Sequence, residues 1–344
     1  MKSKAMALYG KEDMRLVELE IPALNDHDLI IRPLACGICG SDVRNFYKGI
    51  DDRHNLPDGR LVLGHEMTGE IVELGREAKS SFSIGDVVTI APVAPCLRCE
   101  NCYRGLQNLC KNALITGGNF NGGFSELMYV PGQMLQVGGV VKVPKELSYL
   151  AATFAEPVSC CLHGIEQTSI NIGDRILIMG DGPIGLIFLQ LVKLKGAGFV
   201  ITTGHRSKRR ELAAKLGADE ALNANNVDLF KKFGDSFDIV IVATSNIAAA
   251  EEGQRLVRSG GDLLLFSGYA SGTMMKVDVN NLHYRQLNFH GGVDCTINEF
   301  HHAVKILPLL RLDELISNSW PLEKTIDAFR AAKDADVIKL VVEP

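Results

Sequence analysis

The chain has no surplus of positive charge: across 344 residues, 36 Lys and Arg face 41 Asp and Glu, a net charge of −5. A mildly acidic total provides no global field for nucleic acid, so any basic run must be read as local chemistry. The opening stretch MKSKAMALYGKEDMRLVELE has no apolar signal-peptide core. The most hydrophobic segment, RILIMGDGPIGLIFLQLVKL, is broken by Asp181, Gly182 and Pro183, which excludes a membrane span. Internal repeats and low-complexity stretches are also missing. These absences predict a soluble, cytoplasmic protein with no nucleic-acid or membrane partner. Its length and 46% hydrophobic content suffice for two domains, each with its own core.

Nine cysteines are present, an odd number with no secretory signal, which argues for thiolate ligands over a disulfide framework. Cys96, Cys99, Cys102 and Cys110 follow the pattern C-x2-C-x2-C-x7-C in PCLRCENCYRGLQNLC. Four thiolates on so short a loop can close a tetrahedron around a structural zinc, leaving no open position. An iron–sulfur cluster is the other group that takes four cysteines. Cys36 lies one C-x-x-C step before Cys39 and reads as a small buried thiol.

Residues 1–148 read as β-rich, with runs such as LIIRPLAC, MTGEIVELG, DVVTIAPV and FSELMYV between Gly, Pro and Asp. Over 149–284 the rhythm changes. RILIMG, FVITTG, FDIVIVAT and DLLLFSG read as strands that alternate with the helical GLIFLQLVKLKG, SKRRELAAKLGA and Ile247 to Arg258. Such alternation predicts a doubly wound parallel sheet. Residues 285–344, with a helical NEFHHAVKILPLL and a closing strand VIKLVVEP, return to the first domain. The expected class is α/β, with a nucleotide-type domain inserted into a β-rich one.

Gly180, Gly182 and Gly185 form G-x-G-x-x-G between a strand and a helix, with Pro183 and Ile184 inside the motif. The first glycine permits the tight turn, the second admits a pyrophosphate and the third lets helix and strand pack closely. Helix-start amides then hold the phosphates. The acid that would grip the adenosine ribose belongs at the end of the second strand, about 20 residues on. There the chain has Gly204, followed by His205, Arg206, Ser207, Lys208, Arg209 and Arg210. Without a carboxylate to repel it, a 2′-phosphate meets several donors, the forked arginines best of all. Simple decoration of a solvated helix start is the plainer reading, but cations at that end oppose the helix dipole. NADP(H) is therefore expected over NAD(H).

A second constellation is dispersed. CGICGSD contributes Cys39, Ser41 and Asp42; LGHEMTGEIVELG contributes His65 and Glu66; FAEPVSCCLHG contributes Glu156. One thiolate, one imidazole and carboxylates make a zinc site with a position left for water or substrate. Together with FSIGDVV, the four-cysteine lobe, GGFSE and GDGPIG, these motifs run across almost the whole chain. In that order they resemble the medium-chain, zinc-dependent alcohol dehydrogenase superfamily, in its sorbitol/polyol and threonine dehydrogenase-like branch.

That resemblance implies a GroES-like catalytic domain, a Rossmann cofactor domain and two zinc ions, one structural and one catalytic. It assigns Cys39, His65 and Glu66 as catalytic-zinc ligands, with Glu156 ligating directly or through water, and Ser41 as the hydroxyl that takes the substrate proton. It also implies a small alcohol or sugar-derived substrate and a homo-oligomer, tetramer or dimer. The expected reaction is hydride transfer between NADP(H), or NAD, and a secondary alcohol or ketone of a polyol, sugar acid or sugar phosphate. The alternative is amino-alcohol oxidation of the threonine type. A retired, zinc-stabilised binding scaffold would have no need for Cys39, Ser41, His65, Glu66 and Glu156 together. Two departures stand out. Arg44 occupies the position of a relay histidine and cannot deprotonate near neutral pH. Asp294 and Cys295 stand near the place of an Arg-Tyr pair that helps hold substrate in sorbitol enzymes; Asp294 either binds substrate or caps the helix beginning near Asn298.

Overall fold

A computed structural model describes residues 1–49 and 59–344. The chain packs as two units, one of Met1–Ser159 with Asp294–Pro344 and the other of Cys160–Val293. Among the described residues no helix is long and apolar enough to cross a membrane.

The first unit is built around a seven-stranded sheet. Its path runs Val140–Lys142, Val87–Ile90, Glu66–Leu74, Leu29–Gly37, Lys339–Glu343, Ile316–Pro321, with Met128–Val130 also on Leu29–Gly37. The last strand of the chain therefore lies in mid-sheet, antiparallel to Leu29–Gly37 and parallel to Ile316–Pro321. Its buried pattern LVV satisfies both neighbours, as a strand covered on two faces must. A three-stranded sheet (Asp13–Glu20, Lys2–Gly10, Leu61–Val62) and a short pair (Val93–Ala94, Leu114–Ile115) complete the β structure. Of the expected strand FSELMYV only Met128–Val130 forms; Ser125 makes a single bridge to Ala5.

The second unit is a six-stranded parallel sheet in the order Glu220–Asn223, Phe199–Gly204, Arg175–Met179, Phe237–Val242, Val257–Leu265, Asn288–Gly291. This is the doubly wound Rossmann order, reversing at Arg175–Met179. The central strands are apolar and buried over residues 176–179 and 239–242, as strands of a doubly wound sheet covered on both faces must be. The helix expected to reach Arg258 ends at Leu256, and the next strand starts at once at Val257. Val257 pairs with Phe237, and a register shift precedes the pairing of Asp262 with Ile239. Gly260, at φ +74°, lies in that shift, so the strand begins earlier than DLLLFSG suggests. Likewise Thr296, not Asp294, caps the helix Ile297–Ile306, in a capping box with Glu299.

Three rings pin the first unit. Phe329 is fully buried, edge-on to Phe46 at 5.4 Å and to Phe124 at 5.7 Å, and so joins the helices Thr325–Ala331 and Gly40–Lys48. Phe329→Ala is expected to lower stability by about 3–5 kcal/mol, through lost transfer energy and the cavity left behind. Urea unfolding measures this, and a loss below about 1 kcal/mol would mean that Phe46 and Phe124 close the gap.

Candidate functional site

In the first unit Cys39 caps the helix Gly40–Lys48 in extended conformation. Its N–H donates to Asp42 Oδ2 at 3.0 Å, one helical turn on. The other oxygen of Asp42 lies 3.5 Å from His65 Nδ1. One buried carboxylate, 1% exposed, thus orients both the cysteine and the imidazole, leaving the second ring nitrogen available to a metal. Burial opposes protonation of His65, but Asp42 and Cys39 outweigh it and hold the imidazole well above its ordinary value. Burial also pushes the Cys36 thiol well up, so it stays a neutral core group.

Glu66 opens the strand Glu66–Leu74, and each of Cys39, His65 and Glu66 offers a ligand atom within 4.8 Å of the others. Soft sulfur, imidazole and carboxylate so grouped suit zinc with an open position. Glu156, buried in the first turn of the helix Ala155–Glu166, is outside that trio. Ser41 lies in the first turn after Cys39 and is partly buried, whereas Arg44 is exposed.

Glu66 has a partner that no motif announces. Lys339, on the last strand, forms an ion pair with Glu66 Oε2, and the two side chains are only 4% and 1% exposed. Burial works against the lysine's charge, yet Glu66 and Cys39 more than offset it and raise its pKa. The available signal was weak: a lone lysine inside the apolar run VIKLVV.

The four-cysteine lobe is drawn together as well. The ligand atoms of Cys96, Cys99, Cys102 and Cys110 lie within 4.8 Å of one another. Sγ of Cys99 is 3.5 Å from that of Cys102 and 3.9 Å from that of Cys110. Zn–S bonds of about 2.3 Å give a tetrahedral edge of roughly 3.8 Å, so the lobe fits a structural zinc. Backbone N–H groups of Cys102 and Lys111 lower the Cys99 thiol to about 6. Burial and the neighbouring sulfurs raise Cys102 to about 12.

In the second unit the glycine turn has the form a dinucleotide needs. Gly180 sits at φ +129°, and a Cβ on Gly185 would lie 1.9 Å from the carbonyl oxygen of Gly180. A Cβ on Gly182 would meet nothing within 4 Å, leaving room for a phosphate, and Pro183 starts the helix Pro183–Leu194. Ile184 follows inside that helix. Gly204 ends the strand Phe199–Gly204; His205, Arg206 and Ser207 are exposed beyond it, and Arg210 Nη1 donates to the Gly204 carbonyl at 3.4 Å. The helix Ser207–Lys215 has neither a side-chain cap nor an acid in its first turn.

Residues 25–145 match the alcohol dehydrogenase GroES-like domain family, and residues 183–308 match the zinc-binding dehydrogenase family. The chain belongs to the zinc-binding dehydrogenases. The D-arabitol-phosphate dehydrogenase of Enterococcus avium is 30% identical, covering 100% of this chain and 97% of that protein. The L-threonine 3-dehydrogenase of Pyrococcus horikoshii is 29% identical, covering 96% and 95%. A zinc-binding dehydrogenase structure from Sinorhizobium meliloti 1021, bound to NADP, superposes with a TM-score of 0.92 at 26% identity over 100% of both chains. As a zinc-binding dehydrogenase of the medium-chain superfamily, the protein is an NAD(P)-dependent alcohol or polyol dehydrogenase.

In the metal-free form of this zinc-binding dehydrogenase, Lys339→Met would leave Glu66 buried without its cation. A loss of about 3–5 kcal/mol is expected in chemical unfolding at neutral pH. A loss under about 1 kcal/mol would mean that another cation takes over Glu66.

Proposed function

We propose that the protein transfers hydride between NADP(H), in preference to NAD(H), and a secondary alcohol or ketone of a polyol, sugar acid or sugar phosphate. The observation that carries this is the convergence of Cys39, His65 and Glu66 within 4.8 Å, in a chain that also has an intact glycine turn. Cys39, His65 and Glu66 hold the catalytic zinc, with Glu156 as a further ligand directly or through water; Cys96, Cys99, Cys102 and Cys110 hold the structural one. When bound at the first site, zinc supplies the Lewis acidity that makes an alcohol proton easier to lose. Ser41 accepts that proton through its hydroxyl. Arg44, a permanent cation, passes no proton onward, so release goes through water, the cofactor ribose or Glu156.

The polyol reading draws on the resemblance to the arabitol-phosphate enzyme and to the sorbitol dehydrogenase of Bacillus subtilis, 28% identical. The threonine-type reading draws on the Pyrococcus relative and stands second. The NADP(H) preference draws on the cations from Arg206 to Arg210 around a strand end with no side chain of its own, and on the NADP-bound Sinorhizobium structure. We also place the protein in the cytoplasm as a tetramer or dimer, by analogy with similar enzymes.

A panel of polyols, sugar acids, sugar phosphates and L-threonine, followed by nicotinamide absorbance with both cofactors, tests the substrate class. Turnover with a sugar-derived alcohol and NADP is the expected result; turnover with threonine alone would move the assignment to the second reading. Metal analysis should give two zinc ions per chain, falling by about one in Cys39→Ser with the fold kept. Unchanged zinc content would remove Cys39 from the ligand set.

A further inference from the structure

The glycine at the end of the second strand has a cause that lies on another element. Asp181, the residue between the first two glycines of the turn, is 7% exposed and directs its carboxylate at Gly204. A Cβ built on Gly204 would lie 1.8 Å from Asp181 Oδ2 and 1.9 Å from its Cγ. No residue larger than glycine fits there while Asp181 keeps this position. The carboxylate fills the volume into which a side chain at position 204 would project. Its Oδ2 accepts the Arg206 N–H at 3.4 Å, and its Oδ1 lies 3.8 Å from Arg209 Nη1.

In dinucleotide folds the acid at this strand end receives the hydroxyls of the adenosine ribose. Here the strand contributes no acid, yet a carboxylate stands at that point, delivered from the turn. We propose that Asp181 tempers the cofactor preference of this chain: it takes the ribose hydroxyls of NAD(H) and opposes the 2′-phosphate of NADP(H). The inference rests on the reading of the glycine turn as a dinucleotide site. Like charge beside a phosphate is unfavourable, whereas hydroxyl donors to a carboxylate make strong, charge-assisted bonds. Arg209 is already engaged by Asp181, which reduces what it offers a phosphate. Discrimination is thus a balance, with Arg206 and Arg210 favouring NADP(H) and Asp181 keeping NAD(H) competitive.

Equilibrium titration of NADH and NADPH, followed by nicotinamide fluorescence, tests this on the whole protein, on Asp181→Asn and on the double variant Asp181→Ala with Gly204→Asp. Asp181→Asn keeps the shape and removes the charge. It should weaken NADH by about tenfold while NADPH binds as well or better. The double variant presents the carboxylate from the strand end and should recover most of the NADH affinity. An unchanged NADH to NADPH ratio in Asp181→Asn, or equal weakening of both, overturns the assignment. So does a double variant that binds NADH no better than Asp181→Asn. Wild-type protein that binds NADH more tightly than NADPH would remove only the NADP(H) preference, with the variant comparison still deciding Asp181. Wild-type protein that binds neither would overturn the dinucleotide reading and this inference together.

Discussion

Glu66 and Lys339 meet almost wholly out of water, and much of the first unit is arranged so that they can. Either charge alone in that interior would cost several kcal/mol; together they are tolerable, though not strongly stabilising. The pairing requires the last strand of the chain to lie beside Leu29–Gly37, which in turn pairs with the strand that Glu66 opens. Sheet order and charge balance are therefore one constraint. The return of the chain to its first unit supplies a cation to the carboxylate next to His65.

Asp42 has a comparable role at smaller range. Its two oxygens fix the Cys39 backbone and the His65 ring, so cysteine and imidazole are ordered by the same buried group. With Lys339 holding Glu66 in the same way, each member of the trio has a partner outside it. The His65 ring and the Glu66 carboxylate, held like this, give up little conformational freedom when a metal arrives, which favours tight binding over adaptable binding.

What could be read in the sequence follows contact distance along the chain. GDGPIG and the four-cysteine pattern are local, so spacing alone carries their geometry. Cys39 with Asp42, and His65 with Glu66, are also near neighbours, and only their meeting needed the fold. Lys339 was illegible because its partner is far along the chain and its flanking residues show burial without showing why. The strand ends were the other blind spot: Gly260 permits a register shift that moves the strand start to Val257, and periodicity carries no trace of that shift.

Gly204 illustrates a different limit. By position, a glycine where an acid is expected means a missing charge, and the basic run after it then points to a phosphate. By volume, the charge is not missing, because Asp181 Oδ2 occupies the space that a side chain at 204 would enter. Motif reading assigns functions to positions, but a cofactor meets charges at points in space. A carboxylate that changes its attachment from one element to the next keeps its effect on the ligand while vanishing from the motif. The same volume argument accounts for the glycine: a residue there with any Cβ would displace the acid, so Gly204 can change only if Asp181 moves or changes with it.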